Sequence, residues 1–208
     1  MINTTARRIS SIALLSAAAV LAPQMLGAAA DQAAAAPALT VCTVDDTHSL
    51  ALFRIQHMGA GQFWGRFNDI SGNFTFESGK AEGMKFDITI KTESVDTGVE
   101  GLNKHLRSPD FFGAKDFPTM TFKSTGAKKT GEKTFDVTGD LTMHGVTKSI
   151  VASVEFTGMA NMGKGTAAGF EATFTVKRSD FGMKYGVEKG AIGDDVKVVV
   201  ALEGGVAK

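Results

Sequence analysis

Residues 84–91 read Met-Lys-Phe-Asp-Ile-Thr-Ile-Lys. Met84, Phe86, Ile88 and Ile90 alternate without a break with Lys85, Asp87, Thr89 and Lys91. Successive side chains of a strand point to opposite faces, so this stretch predicts a strand with one face buried and the other in water. The same alternation runs outward in both directions. Upstream, Ala51, Phe53, Ile55 and His57 share a face, Phe63, Gly65 and Phe67 share another, and Phe74 with Phe76 marks a third strand. Downstream come Met120, Phe122 and Ser124, then Phe135, Val137, Gly139 and Leu141. Ile150, Ala152, Val154 and Phe156 follow, then Phe170, Ala172, Phe174 and Val176, then Val196, Val198, Val200 and Leu202. Turn signals stand at Ser71-Gly72, Ser78-Gly79, Thr130-Gly131 and Lys189-Gly190. About nine short strands between such turns predict an all-β sandwich or barrel. A twisted antiparallel barrel is the better fit, because it closes its own edges. The single helical expectation is a turn or two over residues 101–107, within a helical or loop segment near residues 99–118.

That segment runs into a connection of unusual chemistry. Residues 103–124 hold Phe111, Phe112 and Phe117, two prolines, and His105 spaced one residue from Arg107. Surface connections are normally polar, so these rings are expected to be buried in the domain or against a ligand. Beside them Lys104, His105 and Arg107 can face an anion, since a guanidinium binds phosphate bidentately and a lysine or histidine adds a donor. An apolar wall with a cationic rim suits an amphiphile. The competing account pairs Arg107 with Asp110 or Asp116 to brace the loop. Arg178 and Asp180 are likewise expected to pair across a bend, and Asp96 and Thr97 to cap the segment that follows them.

The motif His-Leu-Arg-Ser-Pro-Asp-Phe-Phe from His105 to Phe112, continuing through Phe117-Pro118 to Ser124, resembles the signature of the YceI-like family of lipocalin-like, polyisoprenoid-binding proteins. Further pieces stand in order: Asp45 to Ser49, Ser94 to Gly98, Gly139 to Lys148, Arg178 to Met183, and Gly193 to Val196. Together they span roughly residues 43 to 203. Asn103 and Gly113 depart from the pattern, each standing where an aspartate is usual, and the loss of negative charge is expected to alter head-group preference.

The resemblance implies an antiparallel lipocalin-like barrel whose centre is threaded by an extended prenyl or fatty chain. Composition alone leaves this open. The chain has 15 Phe against one Trp and one Tyr, and Phe-rich inner faces serve a filled core as well as a tunnel. With the resemblance, Phe53, Ile55, Phe63, Phe67, Phe86 and Ile88 become candidate tunnel residues, together with Phe111, Phe112, Phe122, Leu141 and Phe174. Lys104, His105 and Arg107 become the candidate head-group site, with the tunnel mouth beside residues 103–118.

The first thirty residues read as a secretory signal. Arg7 and Arg8 precede an apolar stretch from Ile9 to Leu21, and Ala28-Ala29-Ala30 offers a small-residue cleavage site. The expected division is a signal peptide over 1–30, a mobile Ala-rich lead-in over 31–42, and one lipid-binding barrel domain over 43–205. A periplasmic or secreted location follows, and no stable membrane insertion is expected. The chain carries 22 Lys+Arg and 22 Asp+Glu, so without Arg7 and Arg8 its net charge is about −2. That is not the footprint of a nucleic-acid binder. The single cysteine, Cys42, excludes an intrachain disulfide and is expected as a quiet thiol at a strand edge.

Chemistry for catalysis is missing from the sequence. His48, His57, His105 and His144 lie far apart without metal-ligand spacing. There is no nucleophile elbow, P-loop or dinucleotide fingerprint. Asp45-Asp46 and Asp194-Asp195 read as turn and edge residues. No catalytic residue, metal or cofactor is expected. The leading reading is a non-enzymatic carrier of a polyisoprenoid, an isoprenoid quinone or a fatty-acid derivative. Its alternatives are a stress-response structural protein with a filled barrel, and a hydrolase or isomerase acting on such a lipid. The resemblance also admits a homodimer, with loop phenylalanines as its contact.

Overall fold

The computed structural model describes residues 39–161, 163 and 165–206. The proposed signal and most of the lead-in lie outside them. The strands are β1 (Thr40–Val44), β2 (Leu50–His57), β3 (Gly61–Phe67), β4 (Ile70–Glu77), β5 (Lys80–Lys91) and β6 (Val95–Asp96). After helix α1 (Glu100–Arg107) come β7 (Thr119–Lys129), β8 (Thr134–Met143), β9 (Val146–Asn161), β10 (Thr166–Lys177) and β11 (Ile192–Val206). The alternation at residues 84–91 lies in β5, where Met84, Phe86 and Ile88 are buried and Lys85 and Asp87 are exposed.

The sheet closes on itself. β1 hydrogen-bonds to β4 on one side and to β11 on the other, completing an eight-stranded antiparallel barrel in the order β1-β4-β5-β7-β8-β9-β10-β11. The remaining strands lengthen this wall. Along β11, Gly204–Val206 pairs with β1, while the stretch from Ile192 to Ala201 pairs with β2. β1 and β2 are therefore successive parts of one strand path. β3 and β4 continue each other across Asn68 and Asp69, and β5 runs through a 3-10 turn at Thr92–Ser94 into β6, which pairs with β3. Closure joins the two edges of the eight-stranded wall to each other.

Three expectations need correction. Residues 40–42 of the expected lead-in belong to β1, whose ladder partners reach both β4 and β11. Cys42 consequently sits in the core at 0% exposure rather than at an edge. Ser71-Gly72 is no turn but lies within β4, near its start. Gly72 takes φ +131°, and a Cβ there would meet the Asp87 carbonyl oxygen across the ladder, so the glycine serves close strand approach.

Two clusters of buried side chains lie in opposite parts of the barrel. One centres on Phe170, whose ring lies 5.4 Å from Phe74, 5.2 Å from Phe76, 5.3 Å from Phe86 and 5.3 Å from Phe156. The first three are edge-to-face, an arrangement that adds about 0.5–1.5 kcal/mol each beyond area burial. The other cluster gathers Phe53, Phe67, Leu106, Phe111, Phe181 and Met183 beneath α1 and the segment after β10. Helix α1 supplies Leu106 to it and holds Leu102 against it, a spacing of four that places both on one helical face.

Candidate functional site

Between the two clusters lies a cavity of about 590 Å³. Phe53 and Ile55 of β2 line it, as do Phe63 and Phe67 of β3, and Phe86 and Ile88 of β5. Phe122 of β7, Leu141 of β8 and Phe174 of β10 complete the wall, and Phe111 and Phe112 come in from the loop after α1. All are apolar because each occupies the inward parity of its strand or the inner side of the loop. Phe170 and its aromatic neighbours close the far end. The barrel is thus filled at one end and hollow at the other, so the sequence-level choice between a filled core and a tunnel is answered differently along its length.

The mouth is built by α1 and its loop, by the β2–β3 tip at Met58, and by the segment 183–192. The Met58 N–H donates to the Ala191 carbonyl at 2.7 Å, tying the last two together. Met58 and Tyr185 line the cavity yet are 65% and 48% exposed, so they form its rim. The other polar side chains on the lining are Thr121, His57, His105 and Arg178.

The three cations expected at the head group part company. Lys104 is exposed and does not line the cavity. Arg107 turns away from it. Its Nε donates to the Glu93 carbonyl at 3.0 Å, its Nη2 to the Val95 carbonyl at 3.4 Å, and its Nη1 to Glu100 at 3.2 Å. Arg107 therefore braces α1 against the β5–β6 connection, and its partners are neither Asp110 nor Asp116. Seven residues separate it from Glu100, two helical turns along one face, which explains the choice. His105 does reach the lining. Its Nε2 is 3.1 Å from Asp110 Oδ2, and its ring stands edge-on to Phe111 at 5.0 Å and to Tyr185 at 5.1 Å.

The two departures from the family pattern are also away from the cavity. The Asn103 side chain is buried, and its oxygen accepts from the Thr97 N–H at 2.8 Å and the Thr97 hydroxyl at 2.7 Å. Gly113, at φ +54°, packs near Phe117 and His144. Asp96 and Thr97 shape the turn before α1, with Asp96 accepting from the Gly98 N–H at 2.8 Å. The helix begins at Val99 without a side-chain cap. Of the loop phenylalanines, Phe111 is buried, and Phe112 and Phe117 are half-buried.

Arg178 is the residue that sequence reasoning placed wrongly. It does not pair with Asp180. The residue is 3% exposed, and its guanidinium donates to four main-chain carbonyls: Nε to Gly193 at 2.8 Å, Nη1 to Met183 at 2.9 Å, and Nη2 to Tyr185 at 2.7 Å and Ile192 at 3.1 Å. It lies 5.8 Å from the Phe111 ring centroid and forms part of the cavity wall. Burial pulls its pKa below the usual guanidinium range, opposed by the charge of Asp194. Burial works against the Asp194 carboxylate too, yet its pKa stays below the ordinary value, because the Ser179 N–H donates to it at 2.9 Å and the Ser179 hydroxyl at 2.8 Å. A signal existed: Phe170, Ala172, Phe174 and Val176 set the inward parity, and residue 178 is the next step.

Away from the cavity, Asp45, His48 and Glu203 bring ligand atoms within 4.8 Å of one another. A 2.8 Å hydrogen bond between His48 Nδ1 and Asp45 accounts for much of this proximity, lowering the carboxylate pKa and raising that of the imidazole.

A closed antiparallel barrel, plugged at one end and hollow and apolar at the other, defines a lipocalin-like class of protein. The chain belongs to the YceI-like domain family, whose model matches residues 42–204. A UPF0312 protein of Azotobacter vinelandii is 38% identical over 189 residues, covering 90% of this chain and 95% of its own. The crystal structure of BcnA from Burkholderia cenocepacia superposes with a TM-score of 0.69 at 27% identity, over 77% of this chain and 98% of that one. A domain from Saccharophagus degradans, described as polyisoprenoid binding and implicated in plant cell wall breakdown, gives a TM-score of 0.63 at 19% identity, over 80% and 98% of the two chains.

Proposed function

We propose that this protein is an exported, non-enzymatic binding protein that carries a long-chain amphiphile, an isoprenoid or fatty lipid, inside its barrel. The observation that carries the reading is the 590 Å³ cavity, walled by phenylalanine and aliphatic side chains and open beside α1. Each methylene moved from water into such a wall contributes about 0.8 kcal/mol, so a chain of some ten buried carbons binds usefully after association costs. Family membership supports the reading, as does the polyisoprenoid-binding description of the Saccharophagus neighbour. The polar side chains of the lining do not form a nucleophile–base pair, which favours carriage over turnover.

Export rests on the first thirty residues and places the carrier in the periplasm or outside the cell. N-terminal sequencing of the exported form is expected to find a start near Asp31. An intact Met1 in the membrane fraction would refute export.

Native mass spectrometry of protein purified from its own host tests the central claim. A bound lipid mass, released unchanged on denaturation, is expected. Protein that is ligand-free from its host and takes up no added isoprenoid would sink it. A chemically altered lipid would favour an enzyme instead.

A further inference from the structure

The cavity wall is apolar except at a few places, and one of them is a charge. A guanidinium has five N–H donors. In Arg178, four hydrogen bonds to carbonyls use the Nε donor, one on Nη1 and two on Nη2. One Nη1 donor remains, on a residue that is 3% exposed and lines the cavity. Among the described residues, every hydrogen bond of this guanidinium goes to a neutral carbonyl and none to a carboxylate. Asp194 is held by Ser179. The positive charge is therefore enclosed beside an apolar chamber without a directly bonded counter-charge. Charges are rarely buried in this way without a partner.

We infer that Arg178 is the internal anchor for an anionic, hydrogen-bond-accepting end group, phosphate or carboxylate, of the amphiphile held in the barrel. The inference rests on the carrier reading and moves the head-group contact from the outer rim to the wall. Its position fits. Arg178 gathers carbonyls from both ends of the 183–193 segment, which frames the mouth, and lies over Phe111 of the opposite loop. An end group at the mouth would meet Arg178 while its chain runs inward toward Phe170. Neutral ends gain less there, and cationic ends are repelled.

Hexadecyl phosphate, hexadecanol and hexadecylamine share one chain and differ in end-group charge. They are titrated into lipid-free protein by displacement of a fluorescent fatty probe. The phosphate is expected to bind about ten- to a hundredfold tighter than the alcohol, the span of a charge-assisted contact, with the amine weakest. The gap is expected to persist near 1 M salt, where a Debye length of about 3 Å removes the pull of exposed lysines but not of a water-excluded contact. Lys104→Ala is expected to keep the gap and Arg178→Gln to close it. If Arg178→Gln does not fold, the salt series on wild-type protein decides. Equal binding of phosphate and alcohol, a gap that survives in folded Arg178→Gln, or a gap lost in high salt or in Lys104→Ala, overturns the inference and leaves the carrier reading standing. Failure of all three to bind overturns both.

Discussion

The ring of Phe53 lies against the Cα of Gly65, its partner across the β2–β3 pair, where a Cβ would run into the ring carbons. The ring lines the cavity and can yield toward it. Gly65→Ala is therefore expected to cost about 1–3 kcal/mol of stability through overpacking and to weaken hexadecanol binding by narrowing the chamber. Urea denaturation and probe displacement measure the two effects. A variant with both properties unchanged would show that the contact is slack.

Phe170 is the hub of the plug. Phe170→Ala is expected to cost about 3–5 kcal/mol and to extend the cavity toward Phe74 and Phe76. If the variant folds, it should accept a longer saturated alcohol than wild type in displacement titrations. An unchanged chain-length limit would mean that the neighbouring rings collapse into the gap.

Arg107→Ala separates bracing from ligand contact. Losing its bonds to Glu93, Val95 and Glu100 is expected to loosen α1 and to weaken hexadecyl phosphate and hexadecanol by the same factor. A loss confined to the phosphate would return Arg107 to the head-group site.

Burial pushes the Cys42 thiol up from 9.0 to about 11. The folded protein then holds this proton more tightly than the unfolded chain, so the contribution to stability is full below pH 9.0 and is lost as pH rises toward about 11. Native protein is expected to resist iodoacetamide at pH 8 to 9, an alkylation that becomes rapid in urea. Cys42→Ala should remove that part of the alkaline destabilisation. Rapid labelling of native protein would contradict the burial.

The strands and most of the cavity wall were legible because parity is a local property. Once Phe86 and Ile88 face inward, the pleat carries the same answer along β5, and the same holds for Phe53, Phe122 and Phe174. β1 was hidden because five residues in a short Thr and Val run carry little periodic signal. Its place comes from ladder partners in β4 and β11 that lie thirty or more residues away in sequence. The cations were read poorly for another reason. Which way Arg107 turns depends on the Glu93 and Val95 carbonyls, and what holds Arg178 is a ring of main-chain oxygens. Carbonyl groups belong to every residue, so no residue letter announces where four of them converge.

The barrel is sealed where Cys42, Thr43 and Val44 meet Val206, Gly205 and Gly204, so its first strand is stitched to its last. A chain still being made has the seam edge of β1 open until residues 204–206 of β11 arrive. Such edges invite pairing with other chains, and contacts spanning nearly the whole sequence form slowly. The vulnerable moment in this protein's life is therefore the interval before its first and last strands meet, when the greasy inner faces of the barrel are not yet closed on each other.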